Sequence, residues 1–182
     1  MNAKYFTFYA EINDLSARFL MRDVNNAIQD GATEIHISMA SNGGLNRAGF
    51  VIYNFLCGVN AKIFTHNLGH VDSAALCMFL AGTTRSASPI SSFNIHRPTN
   101  NLPKESTYSK NLLFEYAKLL EYDEKNMIAI YTERTLMSET DARQFMEQGT
   151  VLTPSEAVNI GVISVIEMFG PPFGEAVQTI GM

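Results

Sequence analysis

The sequence predicts one α/β domain in which crossover helices cover a parallel sheet. Two observations support this class: β-type segments alternate with helical ones along most of the chain, and 182 residues with 46% hydrophobic content suffice for one complete core. Such alternation is typical of parallel sheets, because parallel neighbours need a crossover connection. We find no internal repeat or linker that would divide the chain.

The first half of the chain contains three predicted strand–helix units. Aromatic and β-branched runs predict strands over residues 5–10, 34–39 and 61–66. Apolar residues from Leu15 to Ile28 recur on one helical face, which stops before Gly31. A second helix follows the loop SNGG at 41–44 and ends near Gly58, and a third over residues 73–81 ends at Gly82.

The second half begins with a predicted strand over residues 91–95. Apolar positions from Leu112 to Tyr131 predict a helix over 106–132, which is long for a globular domain, so we expect it to project from the core. Two further helix starts fit capping boxes, at residues 138–141 and 153–156. A strand over 162–166 follows, and the run FGPPF at 169–173 opens an irregular tail.

Composition narrows the possible environments and partners. The formal charge of −5 and the lack of a basic run argue against a nucleic-acid surface, which needs clustered Lys and Arg. Charged residues make up 17% of the chain, against about 25% in an average soluble domain, so part of the surface is expected to be buried in an oligomer. No leader and no apolar run of membrane-spanning length occur, and Cys57 and Cys77 fit buried free thiols. We therefore expect a cytoplasmic protein without membrane contact.

Three groups point to acyl-transfer chemistry. Ser73 stands at the start of an apolar helix, where the N–H of Ala74 would supply an oxyanion donor, and His96 returns on a later strand as a candidate base. The Gly43-Gly44 loop follows a neighbouring strand, so it should lie beside the Ser73 turn at the carboxyl edge of the sheet. Taken singly, each also fits a structural role, as a helix cap, an interior histidine or a turn.

Several motifs occur together in one order: SNGG at 41–44, GHVDSA at 69–74, NIHRP at 94–98 and TPSEA at 153–157. In that order they resemble the Clp protease proteolytic subunit family, whose members typically show a Ser-Pro-Gly-Gly loop, a Gly-x-Ala-x-Ser-x turn and an Ile-His-x-Pro segment. The resemblance runs from about Phe6 to Ile166. It implies a single domain of the Clp protease and crotonase-like superfold over residues 1–168, with the irregular tail over 169–182.

By the same resemblance, Ser73 is the expected nucleophile, His96 the general base, and Gly43 and Ala74 the oxyanion N–H donors. The long helix corresponds to the family's handle, which packs two rings of subunits together. The resemblance thus implies a homo-oligomer of stacked rings that cleaves peptides or unfolded proteins bound in extended form. No cofactor or metal belongs to the expected mechanism.

The main departure from the family is its third catalytic residue, an aspartate that aligns here with Gly149. Replacing the aspartate of a Ser-His-Asp triad by a neutral residue lowers turnover by about ten-thousandfold. His96 is therefore oriented by another group, or the enzyme is slow or inactive. The candidates are Thr150, a backbone carbonyl, a water in the gap at Gly149, or Glu147 if the register slips by two; Thr150 or water is the favoured pair.

Two residues in the serine turn also depart from the pattern or stay open. Asp72 stands where the family usually has a small apolar residue, and it could pair with His96 or His70, oppose the oxyanion, or cap the helix. His70 fits a loop residue better than a catalytic one. The family's N-terminal helix and pore segment have no counterpart before the first strand, which leaves open whether a ring ATPase is a partner.

Alternative functions come from other classes. A ring scaffold that has lost catalysis is compatible with Gly149, although retention of Ser73, His96 and Gly43 argues against it. A crotonase-type acyl-CoA enzyme would share the fold but needs no serine at position 73 and would need acidic catalysts that the sequence does not reveal. A signal-peptide peptidase of the serine–lysine type would share the superfold, but no lysine is suitably placed and no membrane segment is found.

Overall fold

A mixed sheet lies at the centre of the protein. The computed structural model describes residues 2–99 and 107–180, within which eight strands are hydrogen-bonded into this sheet. The strands are β1 (Ala3–Tyr9), β2 (Glu34–Ser41), β3 (Lys62–Asp72), β4 (Thr84–Ala87), β5 (Ser92–Ile95), β6 (Thr150–Leu152), β7 (Val165–Ile166) and β8 (Val177–Ile180).

The connecting helices follow the predicted alternation. They are α1 (Asp14–Gln29), α2 (Asn46–Gly58), α3 (Ala74–Leu80), α4 (Lys110–Arg134), α5 (Glu139–Gln148) and α6 (Pro154–Asn159). Both predicted capping boxes form, with Ser138 and Thr153 as the N-cap residues of α5 and α6. None of the helices in the described residues is both long enough and apolar enough to cross a bilayer.

The sheet is largely parallel, as the sequence predicts. Its main path runs β6-β5-β3-β2-β1-β8, and every pair on it is parallel except the antiparallel pair of β5 and β6. Strand β3 pairs with β4 through Phe64 to Asn67 and with β5 through His70 to Asp72. The predicted end of this strand at His66 is therefore wrong, because pairing with β5 keeps the backbone extended up to Asp72.

Helix α4 extends beyond the core, as predicted for the long helix. Its 25 residues span about 37 Å at the usual helical rise. Its buried residues all lie in the C-terminal half, from Asp123 to Tyr131, whereas Leu113 and Phe114 near its start are 45% and 55% exposed. The predicted start at Ser106 lies outside the described residues. An apolar but uncovered half is what a helix has when its partner surface belongs to another molecule.

Two partly buried arginines anchor the end of α3 that is remote from Ser73. The Arg134 side chain at the end of α4 donates to the carbonyl of Leu80 at 2.9 Å. Arg85 donates to carbonyls at the ends of α3, α4 and α6, namely those of Gly82, Arg134, Gly161 and Val162. Because all seven residues of α3 are also fully buried, this helix is held rigidly on the sheet.

Two local features differ from the sequence-based expectation. Residues 169–182 were expected to form an irregular tail, but Val177–Ile180 forms β8, which pairs in parallel with β1 and buries Ile180. The open edge of β1 offers unpaired backbone groups that this segment satisfies. The expectation of two buried thiols is wrong for Cys57, which is exposed on α2, and right for Cys77.

Candidate functional site

The turn from β3 into α3 holds Ser73 in a strained backbone conformation. Ser73 has φ 55° and ψ −125°, and within the described residues no other non-glycine residue has a positive φ. Its N–H donates to the carbonyl of Asn94 at 2.9 Å, which ties the turn to β5. Such a conformation costs about 1–3 kcal/mol, so the surrounding packing has to maintain it. The sharp strand-to-helix turn is typical of activated serine nucleophiles.

The Ser73 hydroxyl is not used as a helix cap. Although Ser73 is the N-cap residue of α3, its side chain makes no capping hydrogen bond. The residue is 6% exposed, so the hydroxyl lies at a nearly closed surface without a structural role there. The purely structural interpretation of Ser73 as a capping serine therefore has no support from the geometry.

The Gly43 loop and the Ser73 turn are in direct contact. Gly43 has φ +86°, and a Cβ added to it would lie 2.6 Å from the carbonyl oxygen of Asp72, 2.8 Å from Ser73 Cβ and 3.2 Å from the Ala74 nitrogen. No side chain fits between these groups, so only glycine permits the approach. Gly43 therefore lies directly against the Ser73 turn and close to the Ala74 nitrogen.

The backbone N–H groups of Ala74 and Gly43 differ in their hydrogen bonding. Ala74 is the first residue of α3, where an N–H has no intrahelical acceptor. The Gly43 N–H donates to Ser41 Oγ over a long 3.2 Å, and Ser41 Oγ in turn donates to the carbonyl of Ala10 at 2.6 Å. Ser41 was not singled out from the sequence; its position two residues before a glycine is the signal of a hydroxyl that supports a turn.

His96 follows β5 directly and has a defined tautomer. Its Nδ1 lies 2.9 Å from the carbonyl oxygen of Arg97. Because a carbonyl can only accept, Nδ1 carries the proton and Nε2 is left as the basic nitrogen. Within residues 2–99 and 107–180, neither ring nitrogen is hydrogen-bonded to Ser73, so the two side chains share one edge of the sheet without a formed dyad.

The groups predicted to orient His96 lie near it with different contacts. Thr150 pairs with Ile95 across β5 and β6, but its buried hydroxyl has no hydrogen-bond partner in the described residues. Gly149 ends α5 in the left-handed region at φ 63°, and a Cβ there would meet no atom within 4 Å. Glu147 lies 3.8 Å from Arg97, and both side chains are exposed. The hydrogen bond that the His96 ring makes is with the backbone carbonyl of Arg97, whereas Thr150, one of the favoured pair, makes none in the described residues.

Asp72 ends β3 immediately before Ser73, and part of its carboxylate is buried. Its Oδ1 has no hydrogen-bond partner among the described residues. Burial raises the pKa of Asp72, while His70, the backbone of Asn94 and His96 act in the opposite direction. A carboxylate with an orphaned oxygen beside the candidate nucleophile is an unusual feature, because buried carboxylates are normally hydrogen-bonded.

A cavity of about 440 Å³ lies beside the Gly43 loop. Its lining consists of the end of β1, the loop after β2 and one residue of β3, namely Tyr9, Ala10, Glu11, residues 40–44 and His70. The cavity is large enough for part of an extended peptide. Within the described part of the chain, no group of three His, Cys, Asp or Glu side chains is arranged to hold a metal ion.

Comparison with known proteins agrees with this architecture. A family model described as Clp protease matches residues 2–168. The chain is 27% identical over 169 residues to the ATP-dependent Clp protease proteolytic subunit 2 of Treponema denticola, covering 91% of this chain and 82% of that protein. It is 28% identical over 141 residues to the ATP-dependent Clp protease proteolytic subunit of Cuscuta gronovii, covering 76% of this chain and 70% of that protein.

A solved structure has the same fold. The ClpP1 point mutant from Listeria monocytogenes superimposes with a TM-score of 0.80 at 20% sequence identity. The match covers 91% of this chain and 92% of that one. At this level of identity the likeness concerns the fold, whereas the family is established by the sequence match over nearly the whole chain.

Proposed function

The chain belongs to the Clp protease family, and on this premise we propose that it is a serine peptidase subunit that hydrolyses peptide bonds through an acyl-enzyme on Ser73. The observation that carries the proposal is the Ser73 turn. A buried serine with φ 55° and no capping bond is packed against Gly43. Strain of this kind persists where a site requires a fixed side-chain direction.

The proposed reaction begins at the Ser73 hydroxyl. Its oxygen attacks the carbonyl carbon of the scissile bond while His96 Nε2 takes the proton. The oxyanion that forms is stabilised by the N–H of Ala74 and by that of Gly43, which exchanges its long bond to Ser41 for the substrate oxygen. The intermediate collapses as His96 returns the proton to the leaving amine, and water then attacks the acyl-enzyme by the same route.

The Arg97 carbonyl has a defined part in this proposal. It holds the proton of His96 on Nδ1, which leaves Nε2 as the acceptor of the serine proton. A carbonyl fixes the tautomer but carries no full negative charge, so it stabilises the imidazolium less than an aspartate does. We therefore expect turnover slower than that of an enzyme with a complete triad.

We propose further that the subunits form stacked rings and that substrates are peptides or unfolded proteins held in extended form. The exposed apolar half of α4 supports the assembly, because residues such as Leu113 and Phe114 would be covered by another subunit. The cavity beside Gly43 supports a peptide substrate, since its lining includes this proposed oxyanion donor.

A second candidate function is a ring scaffold without catalytic activity. The feature that favours it is Gly149, which supplies no carboxylate and leaves open space where a side chain would stand. Retention of a strained Ser73 argues in the other direction, since a scaffold has no use for the strain.

Labelling by a fluorophosphonate distinguishes these two functions. We expect mass spectrometry of the assembled protein to find the probe on Ser73, because only an activated serine reacts. Ser73→Ala should abolish the labelling and His96→Ala should slow it by about a hundredfold or more. Ser155→Ala, which removes an exposed serine from α6, is the matched control and should leave labelling unchanged. An unlabelled wild-type assembly would refute the peptidase and favour the scaffold.

A further inference from the structure

Asp72 is a charged group that the proposed mechanism leaves without a role. It lies one residue before the nucleophile, and its Oδ1 is buried without a hydrogen-bond partner in the described residues. Leaving a buried carboxylate oxygen unsatisfied costs about 1–3 kcal/mol. No capping contact with α3 is seen for Oδ1, and the hydrogen bond that acts on the carboxyl involves the backbone of Asn94 instead.

The strand register directs Asp72 and Asn94 toward the same face of the sheet. Asp72 is paired with Asn94 across the parallel strands β3 and β5. The neighbouring residues Val71 and Phe93 are fully buried on the core face. Because side chains alternate along a strand, Asp72 and Asn94 point to the opposite face, and His96 follows two residues after Asn94. His96 follows the end of β5, and its charge is among the influences that lower the pKa of Asp72, so the two groups lie within electrostatic reach of each other.

The remaining candidates near His96 supply no buried negative charge. Gly149 has no side chain, the Thr150 hydroxyl is neutral and unpartnered in the described residues, and Glu147 is exposed and lies against Arg97. Among these described groups, Asp72 is therefore the partly buried carboxylate within electrostatic reach of His96.

We infer that Asp72 is a positioning residue that stabilises the positively charged form of His96 while Ser73 is being acylated, and so takes over the electrostatic part of the role left vacant at Gly149. The Arg97 carbonyl fixes the tautomer of the ring, and Asp72 offsets the charge that the ring acquires when it accepts the serine proton. The inference rests on the proposed function. Burial raises the pKa of Asp72 whereas His70 and His96 both lower it, which is consistent with this inference.

Other titratable groups surround this pair and have to be considered in a pH experiment. His70 stands on the same strand and face as Asp72 and also contributes to its electrostatics. The other groups are Tyr9 and Glu11, which line the cavity together with His70, and the exposed pair of Arg97 and Glu147 beside His96. A His70→Gln background separates the effect of Asp72 on His96 from its effect on His70.

The test is the pH dependence of the fluorophosphonate labelling rate in Asp72→Asn and Asp72→Ala. Removing the carboxylate should lower the plateau rate about tenfold and move the acidic limb of the profile to lower pH by about one unit, because a nearby negative charge favours a protonated base. Both variants should behave alike, also in the His70→Gln background. Asp30→Asn, which removes an exposed charge after α1, is the matched control and should leave the profile unchanged.

The outcomes separate this inference from the proposed function. The inference is overturned, while the peptidase stands, if the wild type is labelled and the Asp72 variants have the same acidic limb in the pH profile of the labelling rate. The same holds if these variants are labelled as fast as the wild type or faster. A limb that shifts only when His70 is present would also overturn it, since Asp72 would then act on His70. A wild type without labelling overturns the proposed function itself. Burial raises the pKa of Asp72, so its ionisation at neutral pH opposes folding. We therefore expect Asp72→Asn to unfold at a temperature no lower than that of the wild type. That result would exclude misfolding as the cause of slow labelling.

Discussion

At the residue scale, Ser73 has a strained backbone conformation that raises the free energy of the folded state. A φ of 55° at a non-glycine residue is unfavourable by about 1–3 kcal/mol, and the pairing of Ser73 with Asn94 together with the buried α3 maintains it. The serine is therefore retained at a position where glycine would fit with less strain. The nucleophilic role that we propose for the hydroxyl would account for this choice, whereas a capping role does not, since the side chain makes no capping bond.

Stability measurements on Ser73 variants test this strain. We expect Ser73→Gly to have a higher free energy of unfolding than Ser73→Ala by about 1 kcal/mol, because glycine adopts positive φ without a Cβ clash and this gain exceeds its entropic cost. Urea denaturation at one protein concentration measures the difference. The order should reverse at Ser155 inside α6, where Ser155→Gly should be less stable than Ser155→Ala by about 1 kcal/mol. Equal or lower stability of Ser73→Gly relative to Ser73→Ala would contradict the strain.

At the scale of elements, the site depends on how closely the loop after β2 approaches the turn after β3. The sequence predicts that these loops meet at the carboxyl edge of a parallel sheet, and the contact between Gly43 and Ser73 agrees with that expectation. The pattern of residues does not predict the hydrogen bond that Ser41 donates to the carbonyl of Ala10 after β1, which supports the Gly43 loop. That bond depends on the register of β1 and β2, which is a property of the assembled sheet.

Gly43→Ala tests the contact between these elements. The added methyl group would overlap the Asp72 carbonyl and Ser73 Cβ at a positive φ, so we expect the free energy of unfolding to fall by about 2 kcal/mol. Labelling of Ser73 should fall by about a hundredfold as the oxyanion donor is displaced. Gly58→Ala at the end of α2 is the matched control: its Cβ meets no atom within 4 Å, and stability and labelling should be maintained. Normal labelling of Gly43→Ala would exclude Gly43 as a donor.

At the scale of the whole molecule, the distribution of apolar surface favours assembly. The 17% of charged residues is low, and the first half of α4 exposes Leu113 and Phe114 while its second half is buried in the core. In a single subunit, exposed apolar side chains on the first half of α4 contribute no burial energy. The surface is explained if it packs against another copy of the chain.

Sedimentation velocity tests the assembly. We expect a species far above the 20.2 kDa subunit, because the exposed half of α4 buries apolar area only in an oligomer. Leu113→Asp should shift the distribution toward smaller species, since a charge replaces a side chain whose burial is worth about 1.5–3 kcal/mol per subunit. Leu113→Met keeps the apolar volume and should sediment like wild type. A wild type that sediments as a monomer at micromolar concentration would contradict both the assembly and the role of α4.

Local sequence was sufficient to predict the six helices and most strands in order, the capping boxes of α5 and α6, and the residue types that identify the Clp protease family, but not the short strands β4 and β6. These features follow from periodicity and from short motifs, which are encoded by near neighbours in the chain. The same patterns did not predict β8, the extension of β3 to Asp72, or the exposure of Cys57.

The properties on which the proposed chemistry depends come from tertiary contacts. The strain at Ser73, the contact of Gly43 with it, and the orphaned oxygen of Asp72 all arise where segments distant in sequence pack together. Their physical cause is the register of β2, β3 and β5, which brings three loops to one edge of the sheet and fixes what each polar group can reach.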